Sequence, residues 1–294
     1  MALSYWGRTE TQRELAPLLK PDPEDKNVSP EEMVTVVQSL GLRAVLRPGG
    51  DLQMLKRLVV AGFPVLIETW YVRDPSDQMG HYRLVVGYDD ATQEFLTYDS
   101  LHGPTLTLGY QELDELWRAF NYLYLIPHSP DREADLAAVL GPSMDADAAT
   151  EIALATAREE ALNPSAACVA YADCVDGETF SWFNVGTNLV SLGQYEEAAA
   201  AYDRARVLGL PYRMLWYEFG PYEAYYAVGR YEDVVTLADA TLYVASNLEE
   251  SYYWRGEARL ALGDVEGARS DFETALRYHP DWPPALDALE RLED

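Results

Sequence analysis

Between Ser29 and Gly62 the apolar positions recur at helical spacing. Pro30-Glu31-Glu32 opens a helix that runs through Leu40, with Ser29 as its N-cap. Leu52–Ala61 forms a second helix that stops at Gly62. From there the pattern changes to apolar runs of strand length: Pro64–Trp70, His81–Tyr88, Glu94–Tyr98 and Tyr122–Ile126. Helices first and strands later predict an α+β domain with an antiparallel sheet over residues 1–127.

From about Thr179 the pattern repeats instead. Trp182, Gly186, Leu189, Gly193, Tyr195, Ala198, Tyr202 and Ala205 line up with Tyr252, Gly256, Gly263, Val265, Ala268, Phe272 and Ala275, and more loosely with Tyr225, Gly229, Tyr231, Val234 and Ala238. Gly193, Gly229 and Gly263 are spaced 36 and then 34 residues apart. Small residues such as Gly186 and Ala198 let paired helices approach, Tyr202 or Phe272 fills the space beside them, and the glycine after each first helix takes a left-handed cap. Pro280 ends the last hairpin. The order and period resemble the tetratricopeptide repeat (TPR), strongly in the first and third units and weakly in the second, where Tyr222 sits at a small-residue position. Residues 148–294 are thus expected to be an all-α helical array, led by an amphipathic helix at Ala148–Asn163. Residues 128–147, with Ser129-Pro130-Asp131, Gly141-Pro142-Ser143 and a short helix at Arg132–Leu140, read as the connection. The aromatic stripe around Tyr222, Tyr225 and Tyr226 reads as core between hairpins, or else as a groove that stacks on a peptide.

Charge narrows the partners. Residues 1–130 carry a net charge of −7 and residues 131–294 carry −20, the second half holding no lysine. Such a surface repels phosphate backbones and anionic headgroups, which argues against nucleic acid and membrane partners and leaves a peptide or protein ligand. The acidity keeps the chain soluble, or gives the repeats a face for basic peptides. No apolar run reaches the roughly 18–20 residues of a membrane span. No export signal is visible at Met1–Gly7, so the chain as written reads as cytoplasmic, or extracytoplasmic if a preceding segment carried a signal. The oligomeric state is left open. Cys168 and Cys174 read as two small semi-buried residues or as a local disulfide in an oxidising compartment. The four histidines show no metal spacing, so neither a metal nor another cofactor is expected.

One pair carries candidate chemistry. His81 begins the strand HYRLVVGY, Asp99 closes the strand EFLTYD, and the turn signal Asp89-Asp90-Ala91-Thr92 lies between them. The midpoint of 81 and 99 is 90, so a regular hairpin sets the two residues opposite one another, about 5 Å apart at Cβ. Asp99 would then accept from His81 Nδ1–H and leave Nε2 as a base. A structural hydrogen bond between strands is the plainer reading. Gly80 before His81 would let backbone or substrate come close.

The segment MGHYRLVVGYDDATQEFLTYDS resembles the His and Asp strands of the C39-like cysteine peptidases, which have a papain-like fold. AGFPVLIETWY resembles the strand before them, and MALSYWG the middle of that family's first helix. PDPEDKNVSPEEMV followed by GLRAVLR fits members that carry TPRs behind the peptidase-like domain. The resemblance implies His81 and Asp99 as catalytic residues. It also implies a nucleophilic Cys in an Asn-Cys-Gly-Pro type motif at the start of the first helix, preceded by a Gln or Asn for the oxyanion hole, and these positions fall upstream of Met1. Cys168 and Cys174 lie beyond the connection, and Ser4 lies inside the helix rather than at its start, so none of them replaces that nucleophile.

Three readings follow: a C39-like cysteine peptidase-related protein with a TPR interaction domain, inactive in this chain; an active cysteine peptidase in a longer gene product in which Met1 is internal; or a non-catalytic peptide-binding scaffold. A groove open near Met1–Tyr5, with His81 and Asp99 on its wall, is expected.

Overall fold

The computed structural model describes residues 1–20, 28–74, 77–163 and 177–293. The hairpin built around the Asp89–Thr92 turn signal is the centre of the sheet: β2 (Val65–Asp74), β3 (Asp77–Asp89), β4 (Glu94–Asp99) and β5 (Gly103–Gly109) follow one another as an antiparallel meander. The chain then returns through β6 (Tyr124–His128), which inserts between β2 and β1 (Arg43–Arg47) to give the order β1-β6-β2-β3-β4-β5. The sequence pattern did not predict β1 or β5, and these are the two edges. Each buries one side chain, Val45 or Leu108, so neither shows a full alternation.

Helices α1 (Ala2–Tyr5), α2 (Gln12–Leu19), α3 (Pro30–Ser39), α4 (Leu52–Val60), α5 (Tyr110–Arg118) and α6 (Glu133–Leu140) accompany the sheet. Ser29 caps α3 as expected, accepting from Glu32 N at 3.2 Å while the Glu32 carboxylate returns to Ser29 N at 2.7 Å. Leu55 and Leu58 of α4 and Leu113 and Trp117 of α5 share one apolar cluster with Val65, Ile67, Val85 and Phe95 of the sheet. Leu136 and Leu140 of α6 join that same cluster, so the segment between the two halves packs on the sheet side.

The array begins with α7 (Ala146–Leu162), followed by α8 (Gly177–Ser191) with α9 (Tyr195–Val207), α10 (Gly220–Ala227) with α11 (Tyr231–Val244), and α12 (Glu249–Ala261) with α13 (Val265–Tyr278). A final helix, α14 (Pro283–Arg291), packs on α13. Gly193, Gly229 and Gly263 close the first helix of each pair with φ of 69, 77 and 87°. At Gly186 an added Cβ would stand 2.6 Å from the Tyr202 ring, and at Gly256 it would stand 2.6 Å from Phe272. The middle pair exchanges the sizes: Tyr222 occupies the position of the glycine on α10 and Ala238 that of the aromatic on α11, both fully buried. The Tyr222 hydroxyl, placed in a core by this exchange, bonds Thr241 Oγ1 at 3.0 Å and Ser251 Oγ at 3.2 Å.

The two halves share a core. Trp70 of β2 and Phe120 after α5 stand 5.9 Å apart between ring centres, and Trp70 lies 5.8 Å from Phe180 of α8. Each fully buried ring of this kind stabilises by about 1.5–3 kcal/mol. Asn121 and Asn188 exchange side-chain amide bonds at 2.8 and 3.0 Å, and Asn184 Nδ2 donates to Arg118 O at 2.7 Å. On the other flank the 3-10 turn Tyr212–Trp216 lies along β3, where Arg213 donates to Gln78 O at 3.0 Å. Beneath it Gly80 is approached by side chains rather than by the backbone or substrate expected: a Cβ there would meet Glu68 Oε1 at 2.9 Å, Phe120 at 3.0 Å and Tyr217 at 3.2 Å.

Carboxylates collect at this junction. Glu218 lines a crevice of about 450 Å³ with Glu31, Asp147, Phe120 and Asn188. Burial, with Glu31 adding repulsion, pushes the Glu218 carboxyl up to about 8. Burial likewise raises Glu68 well above its ordinary range.

Two outcomes are expected. Gly186→Ala drives a methyl into the buried Tyr202 ring and lowers stability in urea unfolding by about 1–3 kcal/mol. Glu218, with its folded value raised, favours folding at acid pH and loses that contribution as pH rises through about 8. Glu218→Gln therefore raises the melting temperature above pH 8, and the gain shrinks as pH falls toward 4.5.

Candidate active site

His81 lies on β3 opposite Thr69 of β2, and Asp99 closes β4 opposite Arg83. The two expected site residues are therefore diagonal neighbours rather than direct partners. The turn centres beyond residue 90, with Asp89 paired to Glu94, and an irregularity between Val85 and Gly87 shifts the register back by one, which leaves Arg83 opposite Asp99. Diagonal neighbours on one face still meet, and His81 Nε2 stands 3.0 Å from Asp99 Oδ2. The ring nitrogens are reversed from the expectation. Nε2–H donates to the carboxylate, which leaves the Nδ1 lone pair as the proton acceptor.

Asp99 is 2% exposed and fully bonded. Its Oδ1 accepts from Leu101 N at 2.7 Å and His102 N at 3.0 Å, as the chain turns from β4 into β5. Its Oδ2 accepts from Arg83 Nε at 3.1 Å as well as from His81. Burial works to raise the carboxyl, but the His102 and Leu101 amides together with His81 outweigh it, and Asp99 is held below its ordinary range. His81 is held below its ordinary value, first by burial, with Arg83 and His102 assisting against the pull of Asp99. A neutral imidazole beside an ionised carboxylate can take a proton at Nδ1 and have the resulting cation stabilised.

The sequence reading missed the surroundings of this pair. Arg83, 3% exposed, sits two residues beyond His81 on the same face of β3 and also donates to Thr69 Oγ1. Tyr71 stands 5.6 Å from the His81 ring and 5.6 Å from the His102 ring. Strand alternation placed Arg83 beside His81, but a charged residue pointing inward is not foreseeable until its partner is known.

A groove of about 420 Å³ does lie beside Met1, Ser4 and Tyr5, but its sheet wall is Leu84, Val86, Leu96 and Tyr98. Leu84 and Tyr98 alternate with Arg83 and Asp99, so that wall is the opposite face of the sheet and His81 and Asp99 are not on it. In the repeats, Tyr222 and Tyr225 are fully buried, so neither ring has a face to offer a peptide. Tyr225 instead donates to Asp203 Oδ1 at 2.8 Å. Tyr226 is half-buried against Tyr231 and Trp254. Cys168 and Cys174 lie outside the described residues. No metal-ligating cluster is present among the described residues, and no helix among them is long and apolar enough to cross a membrane.

Comparison with known proteins agrees with both halves. Residues 1–125 match the Peptidase_C39 like family, and residues 181–205 and 249–282 each match a tetratricopeptide repeat. No curated protein matches the sequence. Among solved structures, the chain is similar to the first TPR of Spaghetti (RPAP3) bound to the HSP90 peptide SRMEEVD, at 22% identity over 39% of this chain and 90% of that one, with a TM-score of 0.36. It is also similar to the second TPR domain of human RPAP3 in complex with the HSP70 peptide SGPTIEEVD, at 25% identity over 40% of this chain and 95% of that one, with a TM-score of 0.35. The chain joins a C39 peptidase-like domain, an antiparallel sheet with its helices, to a helical array of tetratricopeptide repeats.

Proposed function

We propose that the first domain is a peptide-handling domain of the cysteine-peptidase type, with His81 as its base and Asp99 as the carboxylate that orients it. The observation that carries this reading is the 3.0 Å contact between His81 Nε2 and a buried, fully bonded Asp99, within a segment that matches the C39-like family. Acyl transfer also needs a thiolate nucleophile. The cysteines of the 294-residue polypeptide are at 168 and 174, outside the family match. A base and its orienting partner cannot form an acyl-enzyme alone, so this polypeptide binds peptides without cleaving them. The repeats serve as its interaction region. Tyr226 with Trp254 is the half-buried aromatic surface that a peptide can reach, since Tyr222 and Tyr225 belong to the core. We place α6 with the first domain, because Leu136 and Leu140 are buried in its cluster.

Peptide cleavage tests the assignment. The 294-residue polypeptide is expected to give no turnover. The same chain extended at its N-terminus by a helical segment carrying Asn-Cys-Gly-Pro gains thiol-dependent cleavage, and His81→Ala in that background removes about 10²–10⁴-fold of it. Cleavage that survives His81→Ala would show that His81 is not the base.

A further inference from the structure

The His81–Asp99 pair is closed by a third residue through a ring of contacts. Thr69, opposite His81 in the sheet, donates its hydroxyl to His81 O at 2.8 Å. Arg83 donates to that same hydroxyl through Nη1 and to Asp99 Oδ2 through Nε at 3.1 Å. Asp99 Oδ2 in turn accepts from His81 Nε2 at 3.0 Å. The guanidinium thus ties the backbone carbonyl of His81 to the carboxylate that bonds its ring. Arg83 is 3% exposed and Asp99 2%, so this charge pair is shielded from solvent.

We propose that Arg83 is a positioning residue that acts through Asp99 to hold His81 as the neutral, Nε2–H imidazole whose Nδ1 accepts a proton. The inference rests on the reading of His81 as a base. A buried carboxylate beside a histidine, taken alone, raises the proton affinity of the ring and favours the imidazolium. A guanidinium fixed on the same oxygen has the opposite effect and leaves the hydrogen bond in place. Arginine suits this position because its planar fork reaches two acceptors at once, the carboxylate and Thr69 Oγ1, where an ammonium has no fixed geometry.

The charged and titratable groups around the ring are Asp99 on β4, Arg83 on β3, His102 in the turn to β5 and Tyr71 on β2; Glu112 on α5 acts on Arg83. Of these, Arg83 is both permanently charged and bonded to the shared oxygen; burial is the first cause that holds His81 below its ordinary value, and Arg83 adds to it.

The test reads the imidazole directly, by two-bond ¹H–¹⁵N correlation spectra of the full chain titrated with acid. The wild type should show the Nε2–H tautomer. Arg83→Met should move the His81 midpoint upward, and Arg83→Lys, which keeps the charge, should return most of that shift. An Arg83→Met chain that melts cooperatively with an unchanged midpoint and tautomer would overturn the proposal and leave Arg83 a structural counter-charge to Asp99. Should Arg83→Met not fold, Arg83→Lys and Thr69→Val decide the question. Both unfix the guanidinium or its replacement and are expected to admit the Nδ1–H tautomer, and a wild-type spectrum in both would overturn the proposal. Turnover does not enter this readout. An extended chain that fails to cleave while these shifts appear would sink the base assignment and leave the role of Arg83 on the ring standing.

Discussion

The contact of Trp70 with Phe120 on one side and Phe180 on the other is the packing event on which the rest of the molecule depends. Neither half buries this aromatic surface by itself. Trp70 projects from the strand that pairs with the His81 strand, and Phe120 touches the bare backbone at Gly80 next to it. The reciprocal amides of Asn121 and Asn188 fix the docking angle, because a buried amide that loses its partner costs more than the bond was worth. The repeats therefore form one wall of the sheet domain's core rather than an appendage on a flexible tether. Through β2 and Gly80 they help to set where the His81 strand lies.

Around Asp99 the arrangement follows from the difficulty of burying a charge. A carboxylate this enclosed needs every lone pair occupied, and two backbone amides, a guanidinium and an imidazole supply the bonds. The same set that makes the buried anion tolerable determines which ring nitrogen of His81 is left over.

Much of this was legible in the residues. The Ser29 cap and the left-handed turn glycines follow from local rules, each needing only residue types at fixed offsets, and His81 meets Asp99 as expected though diagonally rather than as a direct pair. Edge strands β1 and β5 were not legible, since one buried side chain apiece leaves too little alternation to read. Nor was α5, whose polar run Tyr110–Arg118 resembles a loop until Leu113 and Trp117 are seen to face the sheet. The hairpin register was not legible either. A midpoint count assumes where the turn sits, and the turn from Asp89 to Glu94 centres beyond residue 90, an offset that the irregularity between Val85 and Gly87 only partly takes back. Tyr222 looked like a defective repeat position because a consensus is read one site at a time. With Ala238 opposite, the pair conserves volume with the sizes exchanged.

The shared aromatic core also dictates an order of events during synthesis. The first domain leaves the ribosome with Trp70 and Phe120 uncovered, and their cover on α8 emerges some sixty residues after Phe120, seconds later at ordinary elongation rates. Until then a nascent chain shows an apolar face at Trp70 and Phe120, beside the His81 strand. Completion of the first repeat is thus a licensing step: the chain cannot present a settled site before most of it has been translated.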